Sequence, residues 1–147
     1  MEYGEVLKRM APCGLDCGRC IGYQGGEIQE LSARLLKLLG NYQRVATIMQ
    51  KFNPAFAAYK DFEEILKTFA QASCSGCRTA NNSCPTPCAV KTCHKEKAVE
   101  FCFQCGDFPC DQQDKIPVGE RWLKMNQRLQ EIGVVKYYEE QSKLPRY

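Results

Sequence analysis

Histidine is almost missing from this chain: His94 stands alone among 147 residues. That scarcity removes the usual general acid–base group, and no phosphate-cradling loop or nucleophile elbow takes its place. No run approaches the ~18 apolar residues of a membrane span. Met1 to Pro12 carries Glu2, Glu5, Lys8 and Arg9 without an apolar stretch, which speaks against a secretory leader. Alternating strand patterns of useful length, internal repeats and low-complexity linkers are also lacking. A soluble, cytoplasmic protein of one domain, 1-147, is the expectation.

What the chain has instead is cysteine, eleven in all. Cys13, Cys17 and Cys20 form a tight N-terminal group, and Cys74, Cys77, Cys84, Cys88, Cys93, Cys102, Cys105 and Cys110 crowd a second stretch. In a reducing compartment such spacing reads as metal or redox chemistry before disulfides, and the odd count agrees. The formal charge of +3 assumes protonated thiols. Eleven thiolates set against the six positive charges of three divalent ions would turn it to about −2, so nucleic-acid binding does not follow from basicity. Lys91, Lys95 and Lys97, with Lys143 and Arg146, read as a solvated face.

Between the cysteine groups the pattern is helical. Ile28, Leu31, Leu35, Leu38, Tyr42, Val45, Met49 and Phe52 recur at spacings of three and four, predicting one buried stripe, with Gln29, Glu30, Arg34 and Lys37 on the wet side. A groove for a hydrophobic ligand is the lesser reading of that stripe. Gly40-Asn41 predicts a break or kink, and Asn53-Pro54 a helix start. Asp61 and Glu64 have capping-box spacing before a helix that should end near Ala72. Beyond the cysteines, Gly119 to Ile132 reads as amphipathic, Gly133 interrupts it, a turn or two of helix should follow from Val134, and the tail from Ser142 should fray. The fold class is therefore mainly α: a small helical scaffold packed around an irregular cysteine-rich metal-binding core. The simplest arrangement folds the helical segment back and joins the two cysteine groups.

Cys17/Cys20, Cys74/Cys77 and Cys102/Cys105 have the Cys-x-x-Cys spacing that clamps one ion from a single turn, and Gly14 and Gly18 free the backbone around the first group. Each tetrahedral site needs two further ligands, drawn from Cys13, Cys84, Cys88, Cys93 and Cys110. His94 would complete a set of twelve, but its side chain should diverge from that of its neighbour Cys93. Zinc, two or three ions, is favoured over an iron–sulfur cluster. The triplet Cys13-x3-Cys17-x2-Cys20 resembles the cluster loop of radical enzymes that use S-adenosylmethionine, but the barrel of those enzymes is absent. A thioredoxin-type pair at Cys17 and Cys20 lacks its preceding strand. A zinc-deaminase reading of His94, Glu96, Cys102 and Cys105 lacks the required proline and sheet.

The four cysteine words together, Cys13-Gly14-Leu15-Asp16-Cys17-Gly18-Arg19-Cys20, Cys74-Ser75-Gly76-Cys77, the series Cys84, Cys88, Cys93, and Cys102-Phe103-Gln104-Cys105-Gly106-Asp107-Phe108-Pro109-Cys110, resemble a prokaryotic cysteine-rich domain-of-unknown-function family, DUF3795. The resemblance runs from about Ala11 to Gln141 and implies metal binding, zinc first, through the cysteines. It implies no reaction, and His94 falls outside its cysteine pattern. The reading is a small metal-binding protein, more a binding module than an enzyme, whose largely structural thiolate sites support recognition of a protein or nucleic-acid partner. The alternative is an iron–sulfur or thiol redox protein using Cys13, Cys17 and Cys20.

Overall fold

A computed structural model describes residues 1–116 and 118–147. Seven α-helices, and no strand, occur among the described residues: α1 (Tyr3–Arg9), α2 (Glu27–Leu39), α3 (Gln43–Met49), α4 (Tyr59–Ala70), α5 (Val90–Glu96), α6 (Glu120–Ile132) and α7 (Val134–Ser142). Short 3-10 turns lie at Pro54–Ala58, Cys102–Gln104 and Asp111–Lys115. No helix among the described residues is long and apolar enough to cross a membrane. The chain divides into two compact units: Met1–Cys20 with Cys74–Tyr147, and the intervening Ile21–Ser73.

The discontinuous unit is built on α6, whose Trp122, Met125, Asn126 and Leu129 are buried at spacings of three, four and seven, one helical stripe. Val134, Tyr137 and Tyr138 of α7, Val6 of α1, Met10 and Phe101 close on that stripe. Ala11, Cys13, Val90, Ile116 and Trp122 form a second apolar cluster in the same unit. Helix α7 is longer than the turn or two expected, because its two buried tyrosines give it an apolar face. Helices α1 and α5 were not foreseen; each is seven residues long and too short to show a period.

The tail expected to fray is instead tied down. Arg19 donates to the carbonyls of Gln141 (2.6 Å) and Leu144 (2.7 Å), and Arg146 Nε donates to the Asp16 carbonyl (3.0 Å). Arg19 Nε also pairs with the buried Asp16 carboxylate at 2.6 Å. Long-range polar partners, invisible to local patterning, override the compositional signal for disorder.

In the continuous unit, α2 packs on α4, and α2 ends just before Gly40 as expected. Asn53 caps its turn, its Oδ1 accepting from Ala55 N–H at 3.0 Å. No capping box forms at Asp61 and Glu64: α4 already begins at Tyr59, continuing the 3-10 turn, and it ends at Ala70. Gln29, assigned to the wet face, is half-buried and donates to the Ala70 (3.2 Å) and Ala72 (2.7 Å) carbonyls, closing the C-terminal end of α4.

The expected buried stripe is the main correction. Leu31, Leu35, Leu38, Val45 and Phe52 are exposed, Leu38 at 74% and Phe52 at 78%, while Ile28, Tyr42 and Met49 are half-buried. The buried positions are Ser32 on α2, Ala46 on α3, and Tyr59 and Leu66 on α4. Helix α2 turns a face centred on Ser32 inward, about a quarter of a turn away from its leucine row. Accordingly Leu38→Ala should shift stability by less than about 0.5 kcal/mol, whereas Leu129→Ala in the fully buried core should cost about 3 kcal/mol, both read from urea denaturation followed by helical circular dichroism.

Candidate functional site

Every cysteine lies in the discontinuous unit, and all eleven are unbridged. Cys13 is buried, Cys84 is exposed and the rest are intermediate. Backbone hydrogen bonds set the framework. Cys102 N–H donates to the Pro12 carbonyl at 2.9 Å, which sews the Cys102-x-x-Cys105 turn to the N-terminal group. Arg78, directly after Cys77, donates from Nε to the Met10 carbonyl at 2.9 Å and lies over the Phe101 ring, 4.6 Å from its centroid.

Asn126 is the knot between these segments. Its Oδ1 accepts from Phe103 N–H (3.1 Å), while its Nδ2 donates to the carbonyls of Cys13 (2.9 Å) and Trp122 (2.9 Å). The loop can come this close because Gly14 has φ of +95° and no side chain; a Cβ there would meet Leu129 at 3.0 Å. Gly18 serves space, since a Cβ would meet Arg9 at 3.1 Å.

Two thiol neighbourhoods result. In the first, the Cys17 and Cys77 thiols act on one another, which holds the Cys17 thiol down to about 7 and pushes that of Cys77 up. Burial raises the thiol of Cys13, beside them, to about 12. Cys84 and Cys88 lie within electrostatic range of this group. The Cys74-x-x-Cys77 turn has the form of a metal knuckle: Gly76 takes φ of +92° and its N–H donates to Cys74 Sγ at 3.4 Å.

In the second neighbourhood, Cys93 on α5 joins Cys102, Cys105 and Cys110 around a cavity of about 30 Å³, with His94, Phe108 and Trp122 also in its wall. Burial, then the neighbouring thiols Cys105 and Cys110, raise the Cys93 thiol. Burial lifts Cys102 to about 11, against the opposing effect of the Trp122 indole N–H, which favours the thiolate. Trp122 Nε1 and His94 Nε2 are buried without a conventional hydrogen-bond partner. Burial and then the Arg78 charge lower the His94 pKa, while a bond to the Val99 backbone opposes them. His94 itself is buried, in the last turn of α5.

The donor chemistry of this second group, four thiols and a neutral imidazole around a space the size of one water, fits a soft divalent ion. Among the described residues, however, no three histidine, cysteine, aspartate or glutamate side chains are arranged to hold a metal ion as they stand. The eleven cysteines are therefore not gathered into closed ligand sets among the described residues. The basic run is largely engaged within the chain: Lys91 Nζ donates to the Cys84 (2.8 Å) and Thr86 (3.0 Å) carbonyls, and Lys97 pairs with Asp107 at 2.6 Å.

A model of the family described as Protein of unknown function (DUF3795) matches residues 9–115. The chain belongs to this family. The match takes in every cysteine of both groups, whereas the resemblance read onward to Gln141 extends past its end. No curated protein and no solved structure matches the chain.

Sequence reasoning passed over Asn126, Arg78 and Trp122. For Asn126 a signal existed: an amide inside the apolar row Trp122, Met125, Leu129 is a buried polar group in need of partners. Asn126→Leu keeps the branched outline of the side chain but strands the Cys13 carbonyl and the Phe103 N–H. It should cost about 3 kcal/mol in urea denaturation and speed alkylation of Cys13 by iodoacetamide, mapped by mass spectrometry.

Proposed function

We propose that the discontinuous unit is a zinc-binding module in the cytoplasm whose thiolate centres are mainly structural and hold its loops in position to recognise a partner. The observation that carries this reading is the small cavity walled by Cys93, Cys102, Cys105 and Cys110. The Cys74 knuckle and the meeting of Cys13, Cys17 and Cys77 support a second centre. Zinc bound there would supply cross-links in place of an apolar core, a contribution on the order of 10 kcal/mol. The indole N–H of Trp122 would donate to a Cys102 thiolate, and His94 Nε2 stands as a reserve donor in the same wall. Because Lys91 and Lys97 are already engaged, a protein partner fits better than a nucleic acid.

One observation favours a second reading, thiol redox chemistry: the partner of Cys17 is Cys77, not its sequence neighbour Cys20. Joined by a disulfide oxidant, the two thiols would give up two electrons and two protons, and the oxidant would leave as two thiols.

Elemental analysis with a visible spectrum, on protein purified without oxygen, decides between the readings. The expected result is about two or three zinc per chain, at four ligands each, in a colourless protein. The double substitution Cys102→Ser with Cys105→Ser should remove one of those ions and open amide exchange across α5. Brown protein would replace zinc with an iron–sulfur cluster. Metal-free protein that yields a Cys17–Cys77 cross-linked peptide with oxidised glutathione would replace it with the redox pair.

A further inference from the structure

The discontinuous unit holds a polar cavity that no thiol lines. It measures about 30 Å³, and its wall brings together Asp16, Arg19, Arg121, Tyr137 and Arg146. Three guanidinium groups thus share one recess with a single carboxylate. Like charges gathered in this way repel one another, and an anion between them would relieve that repulsion.

Some of these groups are satisfied within the chain and others are not. Arg19 is fully engaged: its Nε pairs with the Asp16 carboxylate at 2.6 Å, and its other two nitrogens donate to the Leu144 (2.7 Å) and Gln141 (2.6 Å) carbonyls. The same pairing neutralises Asp16, whose Oδ1 also accepts from Arg19 N–H at 3.3 Å. Arg146 uses only Nε, on the Asp16 carbonyl at 3.0 Å. Arg121, exposed in the first turns of α6, makes no hydrogen bond or ion pair among the described residues. Two guanidinium groups therefore stand at the cavity with donors to spare.

Tyr137 adds a third donor. The residue is only 2% exposed, and its hydroxyl makes no hydrogen bond among the described residues. Unlike the Tyr59 hydroxyl and the Trp122 indole, however, that oxygen is not sealed from solvent. The small part of Tyr137 that solvent reaches therefore includes it, and the cavity is the opening that Tyr137 lines. Arg121 and Asp16, both of the same wall, act on the phenol electrostatically. Burial pushes its pKa up to about 12 against the opposing charge of Arg121, so the hydroxyl stays protonated and can donate.

We infer that this cavity binds a small organic acid by its carboxylate, whose two oxygens take the free donors of Arg121 and Arg146 and the Tyr137 hydroxyl. A guanidinium fork matches a pair of carboxylate oxygens. A space of about 30 Å³ admits that planar group but not the four oxygens of a phosphate. An acidic side chain of another protein would bring its backbone to the mouth, whereas reaching a residue as buried as Tyr137 calls for a slender, free molecule. The inference is independent of the metal reading, because no cysteine lines the cavity.

The test titrates the full chain with acetate at constant ionic strength and follows the arginine Nε–H signals by nuclear magnetic resonance. Saturable shifts at one acetate per chain are expected, and none with acetamide, the neutral analogue. Arg121→Gln, which breaks no bond within the chain, should weaken binding about tenfold. Arg121→Lys should restore only part of it, since an ammonium lacks the fork. Tyr137→Phe, which removes only the hydroxyl, should weaken binding about threefold. Lys124→Gln, an equal loss of charge on α6 outside the wall, should change nothing. Circular dichroism verifies that each variant keeps its helices, and Arg121→Gln alone decides the matter if Tyr137→Phe does not fold. No saturable shift with acetate, an equal response to acetamide or to inorganic phosphate, or binding that Arg121→Gln or a folded Tyr137→Phe leaves unchanged, overturns the inference. So does tighter binding of a blocked Gly-Glu-Gly peptide than of acetate, for the carboxylate would then come from a protein partner.

Discussion

The discontinuous unit depends on a single buried amide. Asn126 has no exposure to solvent, and its three hydrogen bonds join α6 to the two cysteine words most distant in sequence. Without them the Cys13 loop and the Cys102 turn would each carry an unsatisfied backbone group into an apolar core, at about 1–3 kcal/mol apiece. Everything else in the unit elaborates this arrangement: the Pro12 to Cys102 bond, the Arg78 clasp on Met10, and the apolar seal of Leu129 and Phe101. The thiols are neighbours because the backbone beneath them is fixed by ordinary hydrogen bonds.

Such an origin explains a duality in the site. The apolar packing of Cys13 and the Cys102 turn raises thiol pKa values, because burial disfavours the charged form. The same packing supplies donors, such as the Trp122 indole and the Gly76 amide, that stabilise thiolates. A neutral thiol is thus the stable form in a site whose surroundings are already furnished for charge. That combination suits a group that takes its negative charge only together with a compensating cation.

How much could be read from the residues follows from the range of the forces involved. Helix existence was legible in α2, α4 and α6, where period and length coincide, and the cysteine words carried the family. Burial was not legible in α2, because periodicity reveals that a helix has an apolar face but not which neighbour covers it. Ser32 and Ala46, small residues that let helices approach, took the inner positions that the larger leucines were expected to fill. Helix α5, which delivers Cys93 and His94 to the cavity wall, is too short to show a period. The docked tail depends on Arg19 and Arg146 reaching carbonyl groups more than a hundred residues away in sequence.

The split of one unit around the other bears on the order in which the chain can acquire structure. Residues 21–73 form a compact unit from one continuous stretch and can pack as soon as they have emerged from the ribosome. The first twenty residues cannot, for Cys13 must wait for Asn126, 113 positions later, and Asp16 for Arg146, 130 positions later. During synthesis, therefore, the N-terminal thiols stay accessible while more than a hundred further residues emerge, and residues of that later stretch are the ones that close them off.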